Sequence, residues 1–115
     1  MYYHIFVQYL VGDGKNQKKE NCYEKDLKSL ERIKKYYVKP FEDGKTIFTS
    51  GRVIRPNVVV IFRILQSDMS LDQIVEQYNN NIPAGVIMWY TCEDILKGHF
   101  DELIDITNEV MSGEL

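Results

Sequence analysis

Apolar residues occupy both sides of the alternating pattern that opens the chain. The odd-numbered positions from Tyr3 to Val11 are all aliphatic or aromatic, and the even-numbered positions from Tyr2 to Leu10 include Phe6. A period of two residues is typical of a β-strand, because successive side chains point to opposite faces. We therefore predict a long strand over residues 1–11 that is covered on both faces or paired in a dimer.

Turn-forming and capping residues divide the next segment. Gly12-Asp13-Gly14 ends the first strand, and residues 20–27 are predicted to return as an antiparallel strand. Ser29 is a suitable N-cap for the helix that follows. Pro40 disfavours the helical conformation at the residue before it, so this helix is predicted to end near Val38.

Two short β-rich runs, residues 46–49 and 52–55, flank Ser50-Gly51. This spacing predicts a tight hairpin in which Gly51 has a positive φ angle. Residues 58–65 form the most apolar segment of the chain and are predicted to be a central strand.

The second half of the chain begins with a capping box. Ser70-Leu71-Asp72-Gln73 predicts a helix start, because the serine and glutamine side chains each satisfy a backbone donor. Residues 86–90 are predicted to form a short strand, residues 91–98 a helical turn, and residues 99–115 a last helix or an irregular packed segment. The whole predicts a single α+β domain with a mixed or mostly antiparallel sheet of about five to six strands and two to three helices.

Length and composition limit the class of protein. The chain has 115 residues, of which 44% are hydrophobic and 12% aromatic, enough for one folded domain and too short for two. Arg63 interrupts the longest apolar stretch, which argues against a membrane span. The N-terminus carries no signal-peptide pattern, so we expect a cytoplasmic protein. The same chain would also fit the N-terminal part of a longer protein.

Candidate nucleophiles and metal ligands are sparse. Cys22 and Cys92 are far apart in sequence, and neither His4 nor His99 stands at metal-ligand spacing from a cysteine. We expect two reduced, inert thiols, with a Cys–His nucleophile pair such as Cys92 with His4 as the alternative. Phosphate-binding and serine-nucleophile motifs are missing from the sequence, so the prediction is no enzyme, no metal and no cofactor.

Charge is distributed unevenly along the chain. The net charge is −3, but residues 15–55 carry twelve Lys or Arg against six acids, and residues 68–115 carry ten acids against Lys97. An asymmetry of this kind favours a nucleic-acid face, a surface for an acidic partner, or two ordinary solvated surfaces that offset each other. Aromatic residues such as Trp89-Tyr90 would serve as a base-stacking platform in the first case and as core in the last.

Two groups of residues are candidate sites. If the strands at 52–55 and 58–65 are neighbours, three guanidinium groups converge on a phosphate or carboxylate; the alternative is structural ion pairing with the acidic half. The predicted ligand-binding residues are Arg52, Arg55 and Arg63. The second face of the first strand would need cover from a second helix, another subunit or a following domain, and its predicted interaction residues are Tyr2, His4, Phe6 and Leu10.

Several short strings share one resemblance. They are YVKPF at 37–41, Gly44, FTSGRVIRP at 48–56, IFRI at 61–64 and Asp68, with DITNEV at 105–110. Together they resemble the N-terminal module of bacterial proteins in which this module precedes a TIR-like nucleotide-binding effector domain associated with anti-phage defence. The catalytic part of those proteins has no counterpart here. The resemblance therefore implies a sensing, regulatory or oligomerising module and carries over no functional residue.

The sequence thus predicts a non-catalytic sensor or interaction module of a cytosolic bacterial protein, with a protein partner or self-association and no membrane. The alternative is a small nucleic-acid-binding domain that uses the basic half at 15–55, although nucleic acid is the less expected partner. A small hydrolase or transferase is the third hypothesis.

Overall fold

The N-terminal strand lies at the centre of the main sheet. The computed structural model describes residues 1–49, 51–77 and 102–115. Strand β1 (Tyr2–Val11) pairs antiparallel with β2 (Lys18–Leu27) on one side and with β5 (Val59–Ser67) on the other. Strand β6 (Ile104–Asp105) pairs antiparallel with the other edge of β5. The sheet order is therefore β2-β1-β5-β6, with every pair antiparallel.

The predicted hairpin is confirmed, but it forms a separate sheet. Strands β3 (Ile47–Thr49) and β4 (Arg52–Ile54) pair only with each other. Gly51 has a φ of +77°, the positive value that the turn was predicted to require. With its six strands in two sheets, the described part of the chain confirms the predicted α+β, mostly antiparallel class.

The helix after β2 continues past the predicted end at Val38. It runs as α1 (Leu30–Ile33), a π-helical segment (Lys34–Val38) and α2 (Lys39–Glu42). In an unbroken α-helix Pro40 would lack a hydrogen bond and its ring would meet the preceding turn. The backbone widens there instead, since the N–H of Lys39 bonds to Lys34 O, and Pro40 then stands in the first turn of α2, where no N–H is needed.

The capping box at Ser70 is also confirmed. The backbone N–H of Ser70 donates to Gln73 Oε1 at 2.9 Å, and the N–H of Gln73 donates to Ser70 Oγ at 3.2 Å, which starts helix α3 (Leu71–Gln77). Leu71 and Ile74 on this helix are fully buried. Of the two readings for the C-terminal tail, the helix is correct: α4 spans Thr107–Met111.

The tail is fixed to the sheet through Asp105. One carboxylate oxygen accepts hydrogen bonds from the backbone and hydroxyl of Thr107, at 2.9 and 2.5 Å. The Thr107 hydroxyl oxygen in turn accepts from the backbone N–H of Ile64, and Ile64 O accepts from the N–H of Ile106. The start of α4 is therefore hydrogen-bonded to the edge of β5.

The main apolar core lies on one face of the main sheet. The odd-numbered residues Ile5 and Val7 lie on one face, opposite Ile64 and Phe62 of β5. They pack with the helical segment at 30–42, the hairpin and α4; the buried members of this core are Ile5, Val7, Tyr9, Cys22, Ile33, Val38, Ile47, Ile54, Phe62, Ile64, Ile106 and Val110. A ring stack of Phe41 on Phe62, with centroids 4.8 Å apart, anchors α2 to this face.

Three of the predicted features lie outside the described residues: the strand at 86–90, the helical turn at 91–98 and Ser50 of the hairpin turn. No helix among the described residues is long and apolar enough to cross a membrane.

Candidate functional site

The three predicted ligand-binding arginines are not brought together by strand pairing. Strand β4 pairs with β3, whereas β5 pairs with β1 and β6, so the condition for convergence, that 52–55 and 58–65 are neighbouring strands, is not met. Arg63 instead lies opposite Phe6 in the sheet and faces Asp105, with 3.6 Å between Nε and Oδ2. Arg55 is exposed and lines a shallow surface depression beside Gly44.

Arg52 holds the hairpin to the main sheet. Its Nη1 donates to Tyr9 Oη at 2.5 Å and to Glu20 Oε2 at 2.9 Å, while Tyr9 Oη donates to the same carboxylate. The tyrosine oxygen and Glu20 raise the pKa of this guanidinium further, so its charge is permanent. For Arg52 and Arg63 the structural ion pair is therefore the interpretation that the geometry favours.

The predicted interaction surface on β1 is largely internal. His4 and Phe6 are 0% and 1% exposed, and Tyr2 and Leu10 are partly buried. The sequence predicted that this face needs cover from a second helix, another subunit or a following domain, and for His4 and Phe6 the chain's own fold supplies it. These two side chains are therefore not exposed at the surface of the folded chain.

His4 instead belongs to a buried polar network that joins three strands and a helix. Its Nδ1 accepts a hydrogen bond from the backbone N–H of Asp26 at 3.1 Å, and its Nε2 lies 2.8 Å from Ser67 Oγ. Ser67 Oγ donates to Met69 O at 2.6 Å, and Asp26 Oδ1 accepts from the backbone N–H of Leu71 at 2.8 Å. Asp26 has a φ of +59° at an irregularity in the β1–β2 pairing, and this conformation turns its N–H toward the imidazole.

Serine, histidine and aspartate thus meet, but with a hydrogen-bond direction unlike that of a catalytic triad. A triad needs a proton on Nδ1, donated to the carboxylate, and an Nε2 that accepts from the serine. Here Nδ1 accepts, so the proton of the neutral ring is on Nε2 and is donated to Ser67, whose own proton is donated to Met69 O. Burial lowers the pKa of His4 from 6.5 to about 4, against the opposing effect of Asp26, and the ring stays neutral.

Cys22 is a second buried group with nucleophilic potential. It is a free thiol, 4% exposed, and its Sγ lies 2.6 Å from Thr49 Oγ1. Burial raises the pKa of this thiol, which keeps it protonated and poorly nucleophilic. Cys92, its predicted counterpart, lies outside the described residues. The described residues also contain no cluster of three or more His, Cys, Asp or Glu side chains that would hold a metal ion.

A surface groove lies where β2 passes into the helical segment. It has a volume of about 510 Å³, and we call it the Lys28–Tyr37 groove; its lining residues are Leu27, Lys28, Ser29, Arg32, Ile33, Tyr36 and Tyr37. Ile33 is buried at its base, whereas Lys28, Arg32 and Tyr36 are exposed. Ser29 caps the helix by accepting from the N–H of Arg32, which fixes the position of that residue's backbone.

Cations lie close to aromatic rings in this groove and beside it; Lys35 and Tyr2 are outside its lining. The Arg32 guanidinium lies 5.7 Å and the Lys35 ammonium 5.4 Å from the centroid of the Tyr36 ring, and the Lys28 ammonium lies 5.8 Å from that of Tyr2. None of these three cations forms an ion pair with a carboxylate among the residues that the structure describes. The groove therefore offers unneutralised positive charge next to an aromatic ring.

The sequence analysis missed this groove, although a signal was present. Lys28, Arg32 and Tyr36 are spaced four residues apart, which places Arg32 and Tyr36 on one face of a helix. The π-helical segment contributes the rest, because it carries Tyr36 and Tyr37, and π-helical turns occur frequently at functional sites. The π-helical segment accommodates Pro40, and the spacing of apolar residues along the sequence does not predict it.

Comparisons of this chain with protein-family models, with curated proteins and with solved structures found no match.

Proposed function

We propose that this protein is a non-catalytic interaction or sensor module that binds an anionic partner through the Lys28–Tyr37 groove. The observation that carries the proposal is the set of cations at this groove, which have no carboxylate partner among the described residues although the chain as a whole is acidic. Elsewhere on the described surface Lys25, Arg52 and Arg63 are paired with Asp72, Glu20 and Asp105, whereas Lys15 and Arg55 have no ion pair among the described residues. Arg32 and Lys35 differ from those two because an exposed aromatic ring, that of Tyr36, lies beside them. Charge that the fold leaves unpaired is available to a partner.

The state of the buried groups supports a role in binding over a role in catalysis. His4, Ser67 and Cys22 are each less than 5% exposed, and the hydrogen bonds of the first two are used within the fold. A nucleophile must reach its substrate and have a base positioned to accept its proton. The resemblance to a module without the effector's catalytic part favours the same class, a cytosolic regulatory or interaction module.

The experiment is a titration followed by two-dimensional NMR of the isotope-labelled chain. The ligands are a hexaglutamate peptide, inorganic phosphate and adenosine monophosphate, each at several salt concentrations. We expect at least one anion to shift the backbone signals of Lys28, Arg32 and Tyr36, with weaker binding as salt is added. Arg32→Gln should reduce these shifts, whereas Lys15→Gln removes an exposed cation in the β1–β2 connection and should leave them unchanged. If none of the three anions shifts the groove signals, the proposal is wrong.

A further inference from the structure

The groove is large enough for a small organic ligand. At about 510 Å³ it lies within the range of about 300–1,000 Å³ that is usual for small-molecule sites. Leu27 and Ile33 give it an apolar part, and its other lining residues carry cationic, hydroxyl or phenol groups. A ligand for this groove therefore needs an apolar or aromatic part as well as a negative charge.

The aromatic part has a clear place in the groove. Tyr36 is 51% exposed, an unusual state for an aromatic ring in the middle of a helical segment, and two cations flank its face. An exposed ring of this kind stacks well on a planar heterocycle, and an adjacent guanidinium adds a cation–π contribution. Tyr37 is partly buried on the same wall, where burial raises the pKa of its hydroxyl and keeps it a hydrogen-bond donor.

The negative charge has an equally clear place. Lys28 and Arg32 both line the groove, and an arginine presents paired N–H groups that match two oxygens of a phosphate. A carboxylate peptide would satisfy the cations but leave the exposed ring without a stacking partner. A phosphate and a planar ring held together on one small molecule would satisfy both features.

Resting on the proposed function, we infer that the ligand of the Lys28–Tyr37 groove is a nucleotide, with its base stacked on Tyr36 and its phosphate paired with Arg32 and Lys28. A free nucleotide fits better than a strand of nucleic acid, because the groove holds about one such unit. The acidic half of the chain, ten acids against one lysine over residues 68–115, also weakens the field that a polyanion would follow.

The test compares adenosine monophosphate with its parts, adenosine and inorganic phosphate, by NMR titration of the full chain. We expect the nucleotide to bind about tenfold or more tightly than either part, since stacking and phosphate pairing act together. Tyr36→Ala and Arg32→Gln should each weaken nucleotide binding about tenfold. Tyr36→Phe keeps the ring and Lys15→Gln removes a cation outside the groove, and both should bind like the unaltered chain. Thermal unfolding of each variant identifies any that fails to fold.

The possible failures separate the two proposals. If hexaglutamate shifts the groove signals and adenosine monophosphate does not, the nucleotide inference is overturned while the proposed function stands. If phosphate binds as tightly as the nucleotide, or Tyr36→Ala binds normally, recognition of the base is overturned. If a short single-stranded DNA binds much more tightly than the mononucleotide, the assignment to a free nucleotide is overturned. If no anion reaches the groove, both proposals fall.

Discussion

Replacing His4 by Gln should flatten the dependence of stability on pH between about pH 6.5 and 4. The imidazole is fully buried and neutral, with Nε2–H donated to Ser67 and Nδ1 accepting from Asp26. Glutamine does not titrate, and its amide can keep a donor near Ser67. It is less suited to accept from the Asp26 N–H, so the variant should be less stable at neutral pH by about 1–3 kcal/mol.

The magnitude follows from the lowered pKa of His4. In the unfolded chain the ring takes up a proton near pH 6.5, whereas in the folded protein burial delays this until about pH 4. Between these values the unfolded state binds more protons, so the free energy of unfolding falls as the pH falls. Full stability is present above pH 6.5, and a shift from 6.5 to about 4 corresponds to a loss of about 3 kcal/mol by pH 4. Below that pH this contribution no longer changes.

The assay is urea unfolding of both proteins at pH 7, 6, 5 and 4.5. Other titrating groups are common to the two chains, so the difference between the two pH profiles isolates His4. We expect the stability difference at neutral pH to shrink, or change sign, as the pH falls. An unaltered difference at every pH, or an NMR titration of the His4 ring with a midpoint near 6.5, would refute the reasoning. Nitrogen chemical shifts of the ring test the assignment of the proton to Nε2 directly.

Three further substitutions test separate parts of the fold by urea unfolding. Gly12→Ala should lower the free energy of unfolding more than Gly51→Ala does. Both glycines have a positive φ, but a Cβ at Gly12 would lie 2.7 Å from Asn16 O, whereas a Cβ at Gly51 would meet nothing within 4 Å. Equal losses would contradict this. Phe6→Ala should lower the free energy of unfolding by about 3–5 kcal/mol and leave the association state seen by light scattering unchanged. A small loss of stability together with altered association would instead support the hypothesis that Phe6 contacts a partner. Ser70→Ala should cost about 1 kcal/mol, and unchanged hydrogen exchange in the first turn of α3 would count against the cap.

Local chemistry carried most of the fold prediction. The capping box at Ser70, the turn at Gly51 and the alternation in β1 each depend on residues close in sequence, and the structure confirms them. The sheet order depends on long-range pairing, and here sequence reasoning was weaker. It left the neighbours of the hairpin and of β5 open, and in the structure β5 lies between β1 and β6 while the hairpin forms a sheet of its own.

The environment of the candidate site residues could not be predicted from the sequence, for a physical reason. A strand that is apolar on both faces is compatible with a buried central strand or with a partner contact, and periodicity alone does not distinguish them. The burial of Phe6 decides the matter. Arg52 is paired with Glu20, 32 positions away in the chain, and Arg63 with Asp105, 42 positions away. A local sequence pattern therefore does not predict these ion pairs.

Pro40 links the fold to the proposed site. A proline at that position would ordinarily end the helix, yet the π-helical turn lets the chain continue to Glu42, where Phe41 stacks on Phe62 and anchors the segment to the sheet. The same turn carries Tyr36 and Tyr37 at the wall of the groove. The wider turn that accommodates the proline therefore belongs to the surface on which both functional proposals depend. The anchored Phe41 keeps that surface in place, as a module that acts by binding requires.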